Sequence, residues 1–305
     1  MKINDEKAII RKLLSEDDGR LYGLLYDVVF KAVFGHRKNT RLLAILLNAL
    51  LQLEGEKKIK SLIIQNPFSY QQFKSDKVSI IDIKATDISG EQYCVEVQMR
   101  GHQALMERII YYGSSRYASQ IRKGDDYDEL KKTVSLWILQ EPFLPDSEKE
   151  IHNSYTLHNE KTHHKLTDLV EYHFIELHKF NENVSLRSSF ERWLHVLKFG
   201  DRYTDLENIP EELLQEEGVM EALATMKEVN SNKKARETIF LRNMHLSDVA
   251  TIEKRALRKG INIGRDEERK LSDIKLAEER RLREEERRLR EALEKELAEL
   301  KKKLD

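Results

Sequence analysis

From Leu21 to Leu53 the apolar residues recur at helical spacing. Leu25, Val28, Val29, Ala32 and Val33 form one stripe, and Leu42, Leu43, Leu46, Leu47 and Leu50 form another. Two amphipathic helices are predicted, broken near Gly35-His36-Arg37, the second ended by Gly55. After Gly55 the pattern shifts to alternation. Ile59 to Ile64 is a short β-branched run, Val78 to Thr86 alternates, and Tyr93 to Met99 alternates again. The Asp87-Ile88-Ser89-Gly90 stretch supplies hairpin-turn residues, so three strands are predicted, the last two antiparallel. Gln103 to Arg122 returns to helical spacing with Gly124 as its cap, and Thr133 to Leu139 is a compact apolar strand ending before Pro142. This order predicts an α/β (α+β) core in which a helix crosses over the sheet. Ser154 to Leu157 and Glu171 to Leu177 add two candidate strands, and Val184 to Arg258 reads as helical throughout.

The last segment differs in kind. Residues 251–305 hold 18 Lys+Arg and 15 Asp+Glu, and no Gly or Pro follows Gly264. Many opposite charges stand at i,i+4, which predicts a long solvated helix. Leu282, Leu289, Leu293, Leu297, Leu300 and Leu304 form an imperfect stripe that fits a short coiled coil without holding one heptad register. A homo-oligomer through this helix and a solvated single helix are both open. The divisions expected are a core over residues 1–182, a helical accessory region over 183–260 and the charged helix over 261–305.

Composition narrows the function classes. The chain carries 53 Lys+Arg against 54 Asp+Glu, so any contact with nucleic acid must come from a local patch. With 251–305 at +3, residues 1–250 sum to −4. A single cysteine, Cys94, excludes an intramolecular disulfide framework and a multi-cysteine zinc site, and points to a reducing, cytoplasmic setting. The longest apolar stretch, Leu42 to Leu51, is interrupted by Asn48 and falls well short of the roughly 20 residues of a bilayer span, so no membrane association is expected. Six histidines fall between His152 and His178 without metal-site spacing or accompanying cysteines, and Gly260 and Gly264 lack the Lys-Ser/Thr of a phosphate-binding loop.

The hairpin carries the candidate chemistry. Residues two apart on a strand share a face, so Asp82 and Lys84 project together, as do Glu96, Gln98 and Arg100, with Val95, Val97 and Met99 behind. A polar row of this kind fits an ordinary solvent face. In the middle of a helix-covered sheet, however, an ionised carboxylate must be paired or bind a metal. Asp82 and Glu96 on adjacent strands can converge on one divalent cation, and hard oxygen ligands favour magnesium or manganese over zinc.

Several stretches together carry a family resemblance. They are Tyr26-Asp27-Val28-Val29-Phe30-Lys31-Ala32-Val33-Phe34-Gly35, Ile81 to Asp87, Val95-Glu96-Val97-Gln98, and Arg108 with Tyr111 and Tyr112. In this order they resemble the Rpn family of recombination-promoting nucleases and transposases, within the PD-(D/E)XK nuclease superfamily. The likeness continues more loosely through Ile175 to Phe180 and Trp193-Leu194 to about Ala256. It implies a restriction-endonuclease-like core and metal-dependent cleavage of phosphodiester bonds in DNA, linked to recombination, transposition or mobile-element defence. It further implies Asp82 and Glu96 as acidic ligands of Mg2+, with Mn2+ as a substitute, and the Val97 carbonyl as a further ligand. Gln98 stands where the superfamily usually has its lysine. An amide supplies neither a positive charge nor a base near neutral pH, so the bound metal or a neighbour must activate the water. Lys84 and Arg100 share the face and are candidates for the missing charge.

Other residues keep two readings. Asp27 either completes the metal site from its helix or caps that helix. Arg108 and Tyr112, at i,i+4 with Ser115 a turn on, either contact a phosphate or pack the helix on the sheet. Tyr111 and Tyr117 suit a packed face. Lys74 and Lys77 add local positive charge. The rival functional reading is a catalytically weak DNA-binding module that assembles through its carboxy-terminal helix; a third is a regulatory protein whose tail controls its oligomeric state.

Overall fold

The computed structural model describes residues 21–68, 83–99, 104–203 and 208–304, with side chains to residue 295. The first helix, α1 (Asp27–Phe34), and the second, α2 (Thr40–Leu50), are separated at the expected place. A Cβ on Gly35 would lie 2.7 Å from the Lys31 carbonyl oxygen, which leaves no room for a larger residue at the end of α1. Asn39 then donates to the Val33 carbonyl at 2.7 Å and holds the reversal.

Six strands follow: β1 (Leu62–Ile64), β2 (Ile83–Asp87), β3 (Gln92–Gln98), β4 (Thr133–Leu139), β5 (His152–His158) and β6 (Lys165–Glu176). They form one mixed sheet in the order β1-β2-β3-β4-β6-β5. β3, β4 and β6 run parallel, and the pairs at either side are antiparallel. The β2–β3 hairpin turns where the sequence predicts: Asp87 Oδ1 accepts the N–H groups of Ser89 and Glu91, both at 2.9 Å, and Gly90 takes φ +89°.

The crossover helix α3 (Leu105–Ala118) joins β3 to β4 and covers one face of the sheet, where Leu105 and Ile109 meet Trp137, Leu139 and Phe174. The other face carries Val95, Val97, Leu136, Ile138 and Ile175. It packs against α1, α2, α4 (Ser189–Phe199) and α6 (Val219–Ser231), with the short α5 (Glu211–Leu214) between the last two. The long helix α7 (Lys233–Leu304) begins in this core through Ala235 and Ile239. The chain divides into compact units at Met1–Leu241 and Arg242–Asp305. In the second unit the side chains are exposed through residue 295 with few exceptions near its start, and Arg283–Glu279 and Arg287–Glu291 pair at i,i+4. Among the described residues no helix is long and apolar enough to cross a membrane.

Four element expectations are corrected. The helix predicted to Arg122 stops at Ala118 with Ser119 as its cap, because Gln120 turns back to donate to Lys131 O and Thr133 Oγ1 and to accept the Lys131 N–H. Gly124, at φ +104°, lies in the following turn. The strand expected from Ile59 begins at Leu62, since Asn48 of α2 holds both the N–H and the carbonyl of Ile59. β5 and β6 are longer than their apolar cores suggest and form a hairpin, while Leu177 starts a tight 3₁₀ turn. The segment 184–258 is interrupted, at Gly200–Arg202, before Pro210, at Gly218 with φ +80° and at Asn232.

Candidate active site

β3 is the third strand of six, and both its faces are covered. Alternation turns Tyr93, Val95 and Val97 into the main core and places Gln92, Cys94, Glu96 and Gln98 beneath α3. Glu96 is 8% exposed and stands beside Trp137 in the parallel register. A carboxylate so enclosed requires compensating charge or strong hydrogen bonds.

Arg108 of α3 supplies part of that compensation. Its Nη2 lies 3.8 Å from Glu96 Oε1 and donates to Gln98 Oε1 at 2.9 Å, while the guanidinium sits 5.6 Å from the centre of the Trp137 ring. The Nε of Arg108 is buried and meets no hydrogen-bond acceptor among the described residues. One turn on, burial raises the Tyr112 hydroxyl pKa above its ordinary value; Arg108 opposes that shift and Glu96 adds to it. Both residues therefore lie in the electrostatic field of this group.

The helical stripe continues through Arg116, with Ser115 exposed to solvent. Arg116 donates to the side-chain oxygens of Gln92 and Gln65, and burial lowers its guanidinium pKa. Spacing alone was the signal for Arg116, which follows Arg108 and Tyr112 at i,i+4,i+8. No local pattern marks Gln92, whose role depends on the helix above it. Cys94 lies between the two arginine contacts, and burial pushes its thiol up to about 11, so it is protonated at neutral pH and is no nucleophile.

Lys84 is half-buried opposite Cys94 on the neighbouring strand, and its N–H donates to Asn66 Oδ1 at 2.7 Å. Asp82, Arg100, Lys74 and Lys77 lie outside the described residues. Asp27 opens α1, and its Oδ1 accepts the Val28 N–H at 2.8 Å; the cap position belongs to Tyr26. A carboxylate in the first turn suits the positive end of a helix. α1 packs on the face of Val95 and Val97, opposite the Glu96 side chain. Lys31 on the same helix is 4% exposed, a buried charge the sequence reading gave no role. Tyr117 is half-buried, but Tyr111 is 68% exposed, which corrects its placement in a packed face: the stripe of α3 that meets the sheet runs through Leu105, Ile109 and Gly113.

Among the described residues no three His, Cys, Asp or Glu side chains gather as a metal site. Of the expected ligands, the structure places Glu96 and Val97 next to each other on β3. The histidines make a different arrangement: His152 Nε2 and His173 Nδ1 are 2.9 Å apart, and His173 Nε2 is 3.3 Å from Glu171 Oε2. A depression of about 870 Å³ lies beside this group at the hairpin end of the sheet, lined by Lys57, Lys58, Lys131, Lys132 and Glu171 among others. Neither Glu96 nor Arg108 borders it.

A six-stranded mixed sheet crossed by a helix between its parallel strands is consistent with the α/β core of the PD-(D/E)XK nucleases. The model of the PD-(D/E)XK nuclease family transposases matches residues 24–256, and the chain belongs to that family. The match takes in every strand of the sheet and ends within α7. No curated protein and no solved structure matches the chain. Membership implies nuclease activity, that is, phosphodiester chemistry.

Proposed function

We propose that the protein is a metal-dependent DNA endonuclease with its active site at Glu96. The observation that carries this reading is the nearly complete burial of Glu96 on the central strand, with Arg108 3.8 Å away. A carboxylate and a backbone carbonyl on one strand are hard oxygen donors, which fits Mg2+, or Mn2+ as a substitute. Glu96, the Val97 carbonyl and Asp82 are the proposed ligands. Bound by these groups, a divalent ion would supply Lewis-acid chemistry for a phosphate and a water at this site.

The protein's own groups do the rest. Gln98 assists at the reacting phosphate, Tyr112 binds the DNA backbone from α3, and Lys84 and Arg100 add positive charge. The cleavage serves DNA recombination, transposition or defence against mobile elements, as the Rpn resemblance suggests. Plasmid DNA incubated with the protein and magnesium should be nicked or cut, and Asp82→Ala should abolish this. Equal cutting by both proteins would reject the reading.

The exposed leucines of α7, Leu282, Leu289 and Leu293, favour a second reading in one respect, assembly into a homo-oligomer through this helix. In its full form, that reading makes the protein a catalytically weak DNA-binding module. Metal-independent DNA binding without cleavage, unchanged by Asp82→Ala, is the result that would select it.

A further inference from the structure

An arginine side chain has donors and no acceptor, so the Gln98 atom that meets Arg108 Nη2 at 2.9 Å must be the carbonyl oxygen. A glutamine amide taken alone fits either way round. Here the guanidinium decides: Oε1 faces Arg108 and the amino group faces away from it. Arg108 is itself held in place, by the Trp137 ring at 5.6 Å and by Glu96 at 3.8 Å. Trp137 is 2% exposed and fixed in turn, its Nε1 donating to Ser135 Oγ at 3.0 Å. A chain of contacts thus runs from the sheet interior through Ser135, Trp137 and Arg108 to a single amide.

We propose that Arg108 is a positioning residue that locks the Gln98 amide with its amino group toward the reacting phosphate, so that Gln98 acts as a hydrogen-bond donor. This rests on the nuclease reading above. A positive charge beside Oε1 draws electron density from the amide nitrogen and strengthens its N–H groups as donors. Donors fixed before the reaction stabilise negative charge as it develops on phosphate oxygens. An amide free to turn would present its oxygen part of the time, which repels the same charge.

The test is a double-mutant cycle on plasmid cleavage with magnesium, read as kcat and KM separately. Gln98→Ala and Arg108→Ala should each lower kcat by about tenfold or more, and the double variant should be no slower than the worse single one. Gln98→Glu keeps an ion-pair partner for Arg108 but has no N–H, and should be as slow as Gln98→Ala. Arg108→Lys, which retains a donor and most of the packing stem, should recover part of the loss. Multiplying kcat losses, or wild-type kcat in Gln98→Glu, would overturn the proposal.

A second readout needs no activity. The Gln98 side-chain amide signal in a ¹⁵N spectrum, assigned by its loss in Gln98→Glu, should move in Arg108→Ala; an unmoved signal would overturn the proposal even if the cycle could not be run. If Asp82→Ala cuts as well as wild type while the amide signal still responds to Arg108, the nuclease reading fails and the Arg108–Gln98 lock stands.

Discussion

His152 and His173 meet across β5 and β6, and burial together with the His173 charge pushes the His152 imidazole down to about 4. Below its ordinary value of 6.5 the unfolded chain takes up a proton that the folded one refuses. The stability this neutral histidine lends is therefore complete above pH 6.5 and is lost as the pH falls toward 4. Glu171, held down to about 2 by its bonds to His173 and Lys132 in spite of burial, adds a loss of the same sign at lower pH, from its ordinary 4.5 downward. The melting temperature should fall between pH 6.5 and 4, and His152→Phe should flatten that slope; an unchanged slope would show that His152 does not couple to folding. At this scale the sequence displayed some contacts and hid others. Glu96, Gln98 and Arg108 were legible because each follows from a local period, alternation on β3 or i,i+4 on α3. The histidine pair and the Arg116–Gln92 contact were not, because they depend on strand register and helix placement that join distant parts of the chain.

At the scale of elements, α3 must lie close to the sheet for Arg108 to reach Gln98. A Cβ on Gly113 would come 2.6 Å from the Tyr172 ring, so glycine sets that approach. Gly113→Ala forces the ring or the helix to shift and should cost about 1–3 kcal/mol. It should also slow cleavage without altering any residue of the proposed site. Thermal melting and plasmid cleavage check both effects, and a neutral result would mean that α3 has slack against β6. The β2–β3 hairpin was readable because Asp87 and Gly90 make their own turn. The end of α3 was not, because the Gln120 bonds that stop it belong to the start of β4. The full length of the β5–β6 hairpin is not legible in the sequence because its outer part, including Leu157 and Leu166, is exposed and carries no apolar alternation toward a core.

For the whole molecule, the core closes at Ile239, and side chains from residue 251 to 295 are exposed. Removing residues 265–305 should leave the melting temperature within a few degrees of the full chain. Light scattering on the same pair measures the proposed assembly: a lower oligomeric state in the truncated protein supports it, and equal states place any assembly elsewhere. The balance of −4 over residues 1–250 and +3 over 251–305 means that DNA must be held by local groups, and that affinity should fall steeply with salt. The helix–strand order of the core was readable from the sequence, whereas the strand order β1-β2-β3-β4-β6-β5 was not, since pairing between distant strands leaves no local pattern.

The proposed metal-dependent nuclease site turns on the buried Glu96 carboxylate, and Glu96→Gln removes its charge with the least change in shape. In single-turnover plasmid cleavage with magnesium, wild type should cut and stop on chelation, while Glu96→Gln should be about a hundredfold slower or worse with its fold intact by circular dichroism. Cleavage by Glu96→Gln at the wild-type rate, or wild-type cutting that survives chelation, would rule out a metal-dependent site at Glu96.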